Sequence, residues 1–246
     1  MTQYPENLSR ILQRIQDRRT LAGVVRTTQL KVDINQALTM IEMIGKARSP
    51  KFVIDDHNRW TYTQLIKWLY ADETMQALDP DAAQEKKVKQ VPGRLTSGIY
   101  IAGATGTGKS WAMEILNIFA DVDEPKVQLG RDERSMHFGC YRAEDIWEQA
   151  TTSDEGMAQF KTMPILCIQD LGSEPVSDAV RMGTRREPLR QILEARGDRN
   201  DLITLITSNF GISAPEIEKR YTDRVVSRLK GMCNFLVING TDRRTI

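Results

Sequence analysis

Gly103-Ala104-Thr105-Gly106-Thr107-Gly108-Lys109-Ser110 is the stretch from which the fold of this chain can be read. It fits the spacing G-x-x-x-x-G-K-[ST], in which glycines let successive backbone N–H groups turn inward around a phosphate. The residues before it, Gly98-Ile99-Tyr100-Ile101-Ala102, read as a short buried strand. Those after it, Trp111 to Ala120, read as a helix whose positive end adds to the same field. Lys109 would reach the β- and γ-phosphates as a point charge, and the Ser110 hydroxyl would ligate Mg²⁺. A strand before the loop and a helix after it are flanks that a chance match lacks, so a nucleotide is the expected ligand.

The chain of 246 residues is long enough for one sizeable α/β domain and a smaller accessory region. Its 40% hydrophobic and 27% charged residues are those of a globular protein in water. No apolar run approaches the ~18 residues that span a bilayer, and the N-terminus has no apolar signal segment. The expected location is the cytoplasm, with no membrane partner. Cys140, Cys167 and Cys233 are single and far apart, which suits buried small hydrophobes better than a zinc or redox pair.

A net charge of +1 does not mark the whole chain as a polyanion binder. Three local clusters are basic enough to face DNA phosphates or simply to be solvated helix faces. They are Arg10 to Lys31, then Arg181, Arg185, Arg186, Arg190, Arg196 and Arg199, then Lys219, Arg220, Arg224, Arg228 and Lys230.

Residues 1–92 read as a mainly helical region. Leu8, Ile11, Leu12 and Ile15 mark one apolar stripe, Ile34, Leu38, Ile41 and Ile44 a second, and Thr61 to Tyr70 a third helix. Phe52-Val53-Ile54 is a brief extended run, and the polar stretch from Asp79 to Pro92-Gly93 reads as a connector. From residue 93 to 246, strands alternate with helices. The strands are Ile99–Ala102, His137–Tyr141, Ile165–Gln169, Leu202–Thr207 and Phe235–Ile238; the helices are Lys109–Ala120, Ala143–Ala150, Thr184–Ala195 and Ala214–Leu229. Such alternation predicts an α/β fold, a parallel five-stranded sheet flanked by helices.

A phosphate loop needs an acid at the end of a neighbouring strand to hold Mg²⁺ and its water. Ile165-Leu166-Cys167-Ile168-Gln169-Asp170 supplies an apolar strand ending in Asp170, with Glu174 four residues on. Leu202 to Ser208 is a second apolar strand, ending in Asn209, whose amide could hydrogen-bond a γ-phosphate or serve only as a turn residue.

The phosphate loop, the strand with its acid, Thr207-Ser208-Asn209 and Tyr221-Thr222-Asp223-Arg224-Val225-Val226-Ser227-Arg228-Leu229 together resemble the AAA+ ATPases of the DnaC/IstB family, helicase loaders and transposition helpers. The resemblance covers residues 95 to 246; the leader, with Phe52 to Asp56 before the Trp60–Tyr70 helix, is more loosely similar to DnaC-like proteins of mobile elements. It implies a three-layer P-loop domain binding ATP and Mg²⁺, with Gly103 to Ser110 on the triphosphate and Asp170 in the Walker B element. It further implies that Asn209 is the sensor 1 residue, that Arg224 and Arg228 form an arginine-finger region joining a homo-oligomer, and that Arg243 lies near a sensor 2 position. A replicative DNA helicase contacted by residues 1–92, and single-stranded DNA, are the partners it implies. An IstB-like role beside a transposase, and a weakly hydrolysing ATP-gated DNA adaptor, are the alternatives. The sequence departs from the family at Gln169, where the first of two strand-ending acids is usual. Either Asp170 takes the metal and Glu174 assists the water, or hydrolysis is slow; on this reading Gln169→Asp would raise turnover.

Overall fold

The computed structural model describes residues 10, 24–26, 28–84, 87–175, 179–181 and 184–243. The leader contains β1 (Val24–Arg26), α1 (Ile34–Arg48), α2 (Arg59–Leu69), β2 (Gln76–Leu78), α3 (Pro80–Gln84) and β3 (Gln90–Pro92). Next come β4 (Gly98–Ala102), α4 (Lys109–Asp123), β5 (Lys126–Leu129), β6 (Asp132–Ser135), β7 (Gly139–Arg142), α5 (Ala143–Thr152) and α6 (Asp154–Thr162). The last part holds β8 (Ile165–Leu171), β9 (Ala179–Arg181), β10 (Thr184–Arg186), α7 (Pro188–Gly197), β11 (Ile203–Ser208), α8 (Pro215–Met232) and β12 (Cys233–Val237).

Strands β7, β8, β11, β4 and β12 lie side by side and are parallel throughout. The buried, largely apolar sequences of the inner strands β4, β8 and β11 suit this, because a parallel strand is covered on both faces. The two-residue period of a strand divides the core cleanly. Ile99, Ile101, Cys167, Leu205 and Leu236 face one layer, with Met113, Leu116 and Phe119 of α4. Tyr100, Ala102, Leu166, Ile168 and Ile206 face the other, with Ile146, Phe160, Ile192, Val225 and Leu229 from α5 to α8. Helix, sheet, helix is the expected three-layer arrangement, and the five-stranded parallel sheet is at its centre.

The leader is less separate and less helical than its composition suggests. Ala37, Leu38 and Ile41 of α1 and Leu65, Ile66 and Leu69 of α2 belong to the same buried cluster as α4 and β4. Among the described residues, α1 and α2, both from before residue 92, thus share that face with α4. The Asp79–Pro92 stretch is not a plain connector: it ends in β3, which pairs antiparallel with β2 just before the stretch, and β2 pairs antiparallel with β12, extending the sheet to seven strands. Its polar sequence suits β3, the edge strand, where side chains face water and Pro92 needs no donor. Away from the main sheet, β1 pairs with β5 and β5 with β6. The Leu8–Ile15 stripe, with Arg14, Arg18 and Arg19, lies outside the described residues.

Local signals fix the helix ends. Asp33 caps α1 through the amides of Asn35 and Gln36, while Gln36 Oε1 accepts from Asp33 N at 3.0 Å, a reciprocal capping box. Pro188 and Pro215 occupy first turns, where no donor is lost. The start of α7 at Pro188 leaves Thr184–Arg186 to a hairpin with β9, where the sequence had suggested helix.

Candidate nucleotide site

The parallel strands end on one side of the sheet, where open α/β sheets bind ligands. There a cavity of about 880 Å³ is lined by Thr105 to Trp111, Asp170, Asn209, Ile238 and Arg243. The loop leaves β4, the strand between β11 and β12, and α4 starts at Lys109 directly after Gly108 with φ 95°. Gly106 has φ 78°, a left-handed conformation in which a side chain would be strained, and a Cβ there would also displace the Asp242 carboxylate.

Lys109 Nζ donates to Ala104 O at 2.9 Å and to Asn209 Oδ1 at 2.8 Å. Ser110 Oγ lies 3.4 Å from Asp170 Oδ1. An ammonium, a hydroxyl, a carboxylate and an amide thus meet at the mouth of a loop of backbone donors, the donor set that a Mg²⁺-bound triphosphate requires. Arg243 adds a second cation. Its Nη2 holds both oxygens of Asp55 at 2.8 Å, and its Nε is buried with no partner among the described residues. Burial pushes the Asp55 carboxyl up, but hydrogen bonds and charge from Arg243 outweigh it and leave it below its ordinary value.

Asp170 reaches the cavity through a bulge. Ile206 pairs with Ile168, but Ser208 pairs with Leu171, so Gln169 and Asp170 together face the single residue Thr207. Asp170 takes φ 56°, and its amide donates to Thr207 Oγ1 at 3.0 Å instead of continuing the ladder. Such an insertion re-aims a side chain, and aspartate tolerates the left-handed region better than most residues.

Part of this site was invisible to motif reading. Ser49, Lys51, Phe52, Val53, Asp55, His57 and Tyr62 of the leader form the opposite wall. Phe52 stacks on Trp111 with ring centroids 6.2 Å apart and meets Tyr62 edge-on at 6.0 Å. The Phe52-Val53-Ile54 run is the sequence signal that falls on this wall. Arg142 and Glu144, at the β7–α5 junction, also line the cavity without having been singled out.

No family model matches the sequence, and no curated protein does. Among solved structures the chain is similar to a provisionally designated primosome component from Streptococcus pyogenes serotype M3. That likeness has 18% identity and a TM-score of 0.50, over 78% of this chain and 85% of the other. The chain is also similar to DnaI (21%, TM-score 0.47, over 76% and 87%) and to the DnaC helicase loader (18%, 0.46, over 76% and 93%). The fold shared with that primosome component is a parallel sheet between two layers of helices. At these identities the likeness is one of fold, and the resemblance read from the motifs holds at that level.

Within this fold, the remaining expected residues divide. Glu174 is not brought to the cavity. It is 4% exposed and accepts from Gly172 N at 3.0 Å, from Arg220 Nε at 2.8 Å and from the Tyr221 hydroxyl. With all these donors on one carboxylate, Glu174 ties the end of β8 to α8 and is unavailable to orient a water. Burial and the Glu174 charge push the Tyr221 hydroxyl well up. Helix α8 breaks at Thr222, with φ 73° and ψ 159°, a strained conformation for a β-branched residue. The first half carries Arg220 inward; the second carries Arg224, exposed, and Arg228, paired with Asp198 at 2.6 Å. Neither Arg224 nor Arg228 lines the cavity of its own chain.

Of the other basic candidates, Arg196 is buried and donates to Thr204 Oγ1 and to the carbonyls of Phe160, Met163 and Ile203. Burial lowers its pKa to about 10. Arg190 and Arg199 pair with neighbouring acids. None of the three is available to a polyanion without losing these partners.

Proposed function

We propose that this chain is an ATP-dependent loader of a replicative DNA helicase, acting in the cytoplasm as a homo-oligomer on single-stranded DNA. The observation that carries the reading is the meeting of Lys109, Ser110, Asp170 and Asn209 in one cavity, with Arg228 turned away from it. Gly103 to Ser110 would hold the triphosphate, Ser110 and Asp170 the Mg²⁺, and Arg243 would stand beside the phosphates. Bound ATP would supply the free energy of phosphoryl transfer to water. The chain's own residues do the rest: Lys109 and the loop amides neutralise and orient, Asn209 holds Lys109 in place, and the leader wall covers the cavity mouth. Arg228, placed outside, would complete the site of a neighbouring copy.

The leader offers a surface for the helicase, and exposed Lys219 and Arg224 offer charge for DNA. The adaptor reading, in which ATP is held and hardly cleaved, is favoured by one observation: Gln169 and not an acid precedes Asp170. The full chain mixed with the replicative helicase of its own cell, with ATP and Mg²⁺, should form a complex that places helicase on single-stranded DNA. The Lys109→Ala chain should not. Delivery equal to wild type by Lys109→Ala, or helicase loading unchanged by the protein, would overturn the loader reading.

A further inference from the structure

Gln169, the residue that breaks the family pattern, is 6% exposed and points away from the cavity, into a chain of contacts on α4. Its Nε2 donates to Glu114 Oε1 at 3.0 Å. The other oxygen of Glu114 pairs with Arg48, the last residue of α1, and the Arg48 guanidinium carbon lies 5.1 Å from the Trp111 ring centroid. Glu114 stands four residues after Ser110, one turn along the same face of α4. Ser110 meets Asp170, and Glu114 meets Gln169. One helix face therefore grips two consecutive residues of the bulge at two points.

We infer that Gln169 is a positioning residue, the neutral partner of Glu114, and that the Arg48–Glu114–Gln169 chain holds the bulge that aims Asp170 at Ser110. An amide N–H₂ is a donor that matches a carboxylate, whereas a second carboxylate has nothing to give. Aspartate at 169 would set two like charges against each other in a half-buried corner, with Arg48 on the far oxygen of Glu114, and their repulsion would press on the bulge. The acid absent from the strand is present on the helix. The motif expectation for Gln169→Asp is thereby reversed in sign.

This inference rests on the ATP–Mg²⁺ reading of the cavity, and its test separates the two. Fluorescent ATP binding to the full chain is measured as a function of Mg²⁺ and again in excess chelator, for wild type, Gln169→Asp, and Gln169→Asp combined with Glu114→Gln. The single change should weaken Mg²⁺-dependent binding by about tenfold while leaving affinity in chelator unaltered; exchanging the charge in the double variant should recover most of that loss. Stronger Mg²⁺-dependent binding by Gln169→Asp, or a double variant no better than the single, overturns the inference while ATP binding by wild type stands. Absence of Mg²⁺-dependent binding by wild type overturns the cavity reading and the inference together.

Discussion

Lys109, Ser110, Asp170 and Asn209 converge on one cavity, while Arg224 and Arg228 stand on the half of α8 after the Thr222 break, outside that cavity. The two regions share a chain and a sheet but differ in what completes them. The phosphate end finds its partners within the molecule: the lysine is held by Asn209 and the serine by Asp170. The arginine end carries Arg228 with one exposed acid, Asp198, and a buried Nε that has no partner among the described residues. In the proposed oligomer, Arg228 would act on the phosphate held by a second copy.

The comparison breaks most sharply on a mixing experiment. Arg228→Ala alone should keep ATP binding near wild type and lower turnover by roughly 1000-fold, the scale of an arginine finger. Lys109→Ala alone should lose ATP binding. Mixed in equal amounts, the two inactive chains should regain measurable turnover, because each carries the half that the other lacks. No recovery, with both chains folded, would mean that the two regions do not meet across an interface.

Glu174 sharpens the same contrast from the side of stability. The reading from sequence made it a candidate for water orientation; its contacts make it a strut. Glu174→Gln should cost on the order of 3 kcal/mol in unfolding free energy, because Arg220 is left largely buried without a countercharge. ATP turnover per folded molecule should stay within a few-fold of wild type. A hundredfold loss of kcat without a change in melting temperature would return Glu174 to the chemistry.

The smallest effect belongs to Asp55 and Arg243, the contact that joins the leader to the loop. The Asp55 carboxyl is held below its ordinary value of 3.8, so its contribution is complete above that pH and disappears as pH falls through the lowered value. Asp55→Asn should therefore reduce stability near neutral pH by about 1 kcal/mol or less, since the pair is partly exposed, and should flatten the acid limb of the stability curve. Unfolding curves between pH 7 and about 2 test this; a variant that parallels wild type throughout would show that the pair contributes nothing.

Much of the sheet could be read from the chain because parallel strands are buried on both faces, and Ile99–Ala102, Ile165–Gln169 and Leu202–Thr207 stand out as largely apolar runs. The phosphate loop, Asp170 and Asn209 follow from where those runs stop. What stayed hidden depends on contacts distant in sequence or on backbone sign. The β3 edge looks like a linker because most of it is wet. The bulge at Gln169–Asp170 rests on a positive φ that no residue type announces. The partners Arg243–Asp55 and Arg220–Glu174 are separated by long stretches of chain, so spacing alone could not pair them.

The leader wall has a thermodynamic consequence. Ser49 to Tyr62 line the cavity, and α1 and α2 on either side share the core of α4. A protein that grips this segment and favours one arrangement of it must change the affinity for nucleotide, and nucleotide must change the affinity for that protein by the same factor. Recruitment and nucleotide state are in that sense a single equilibrium, read from its two ends.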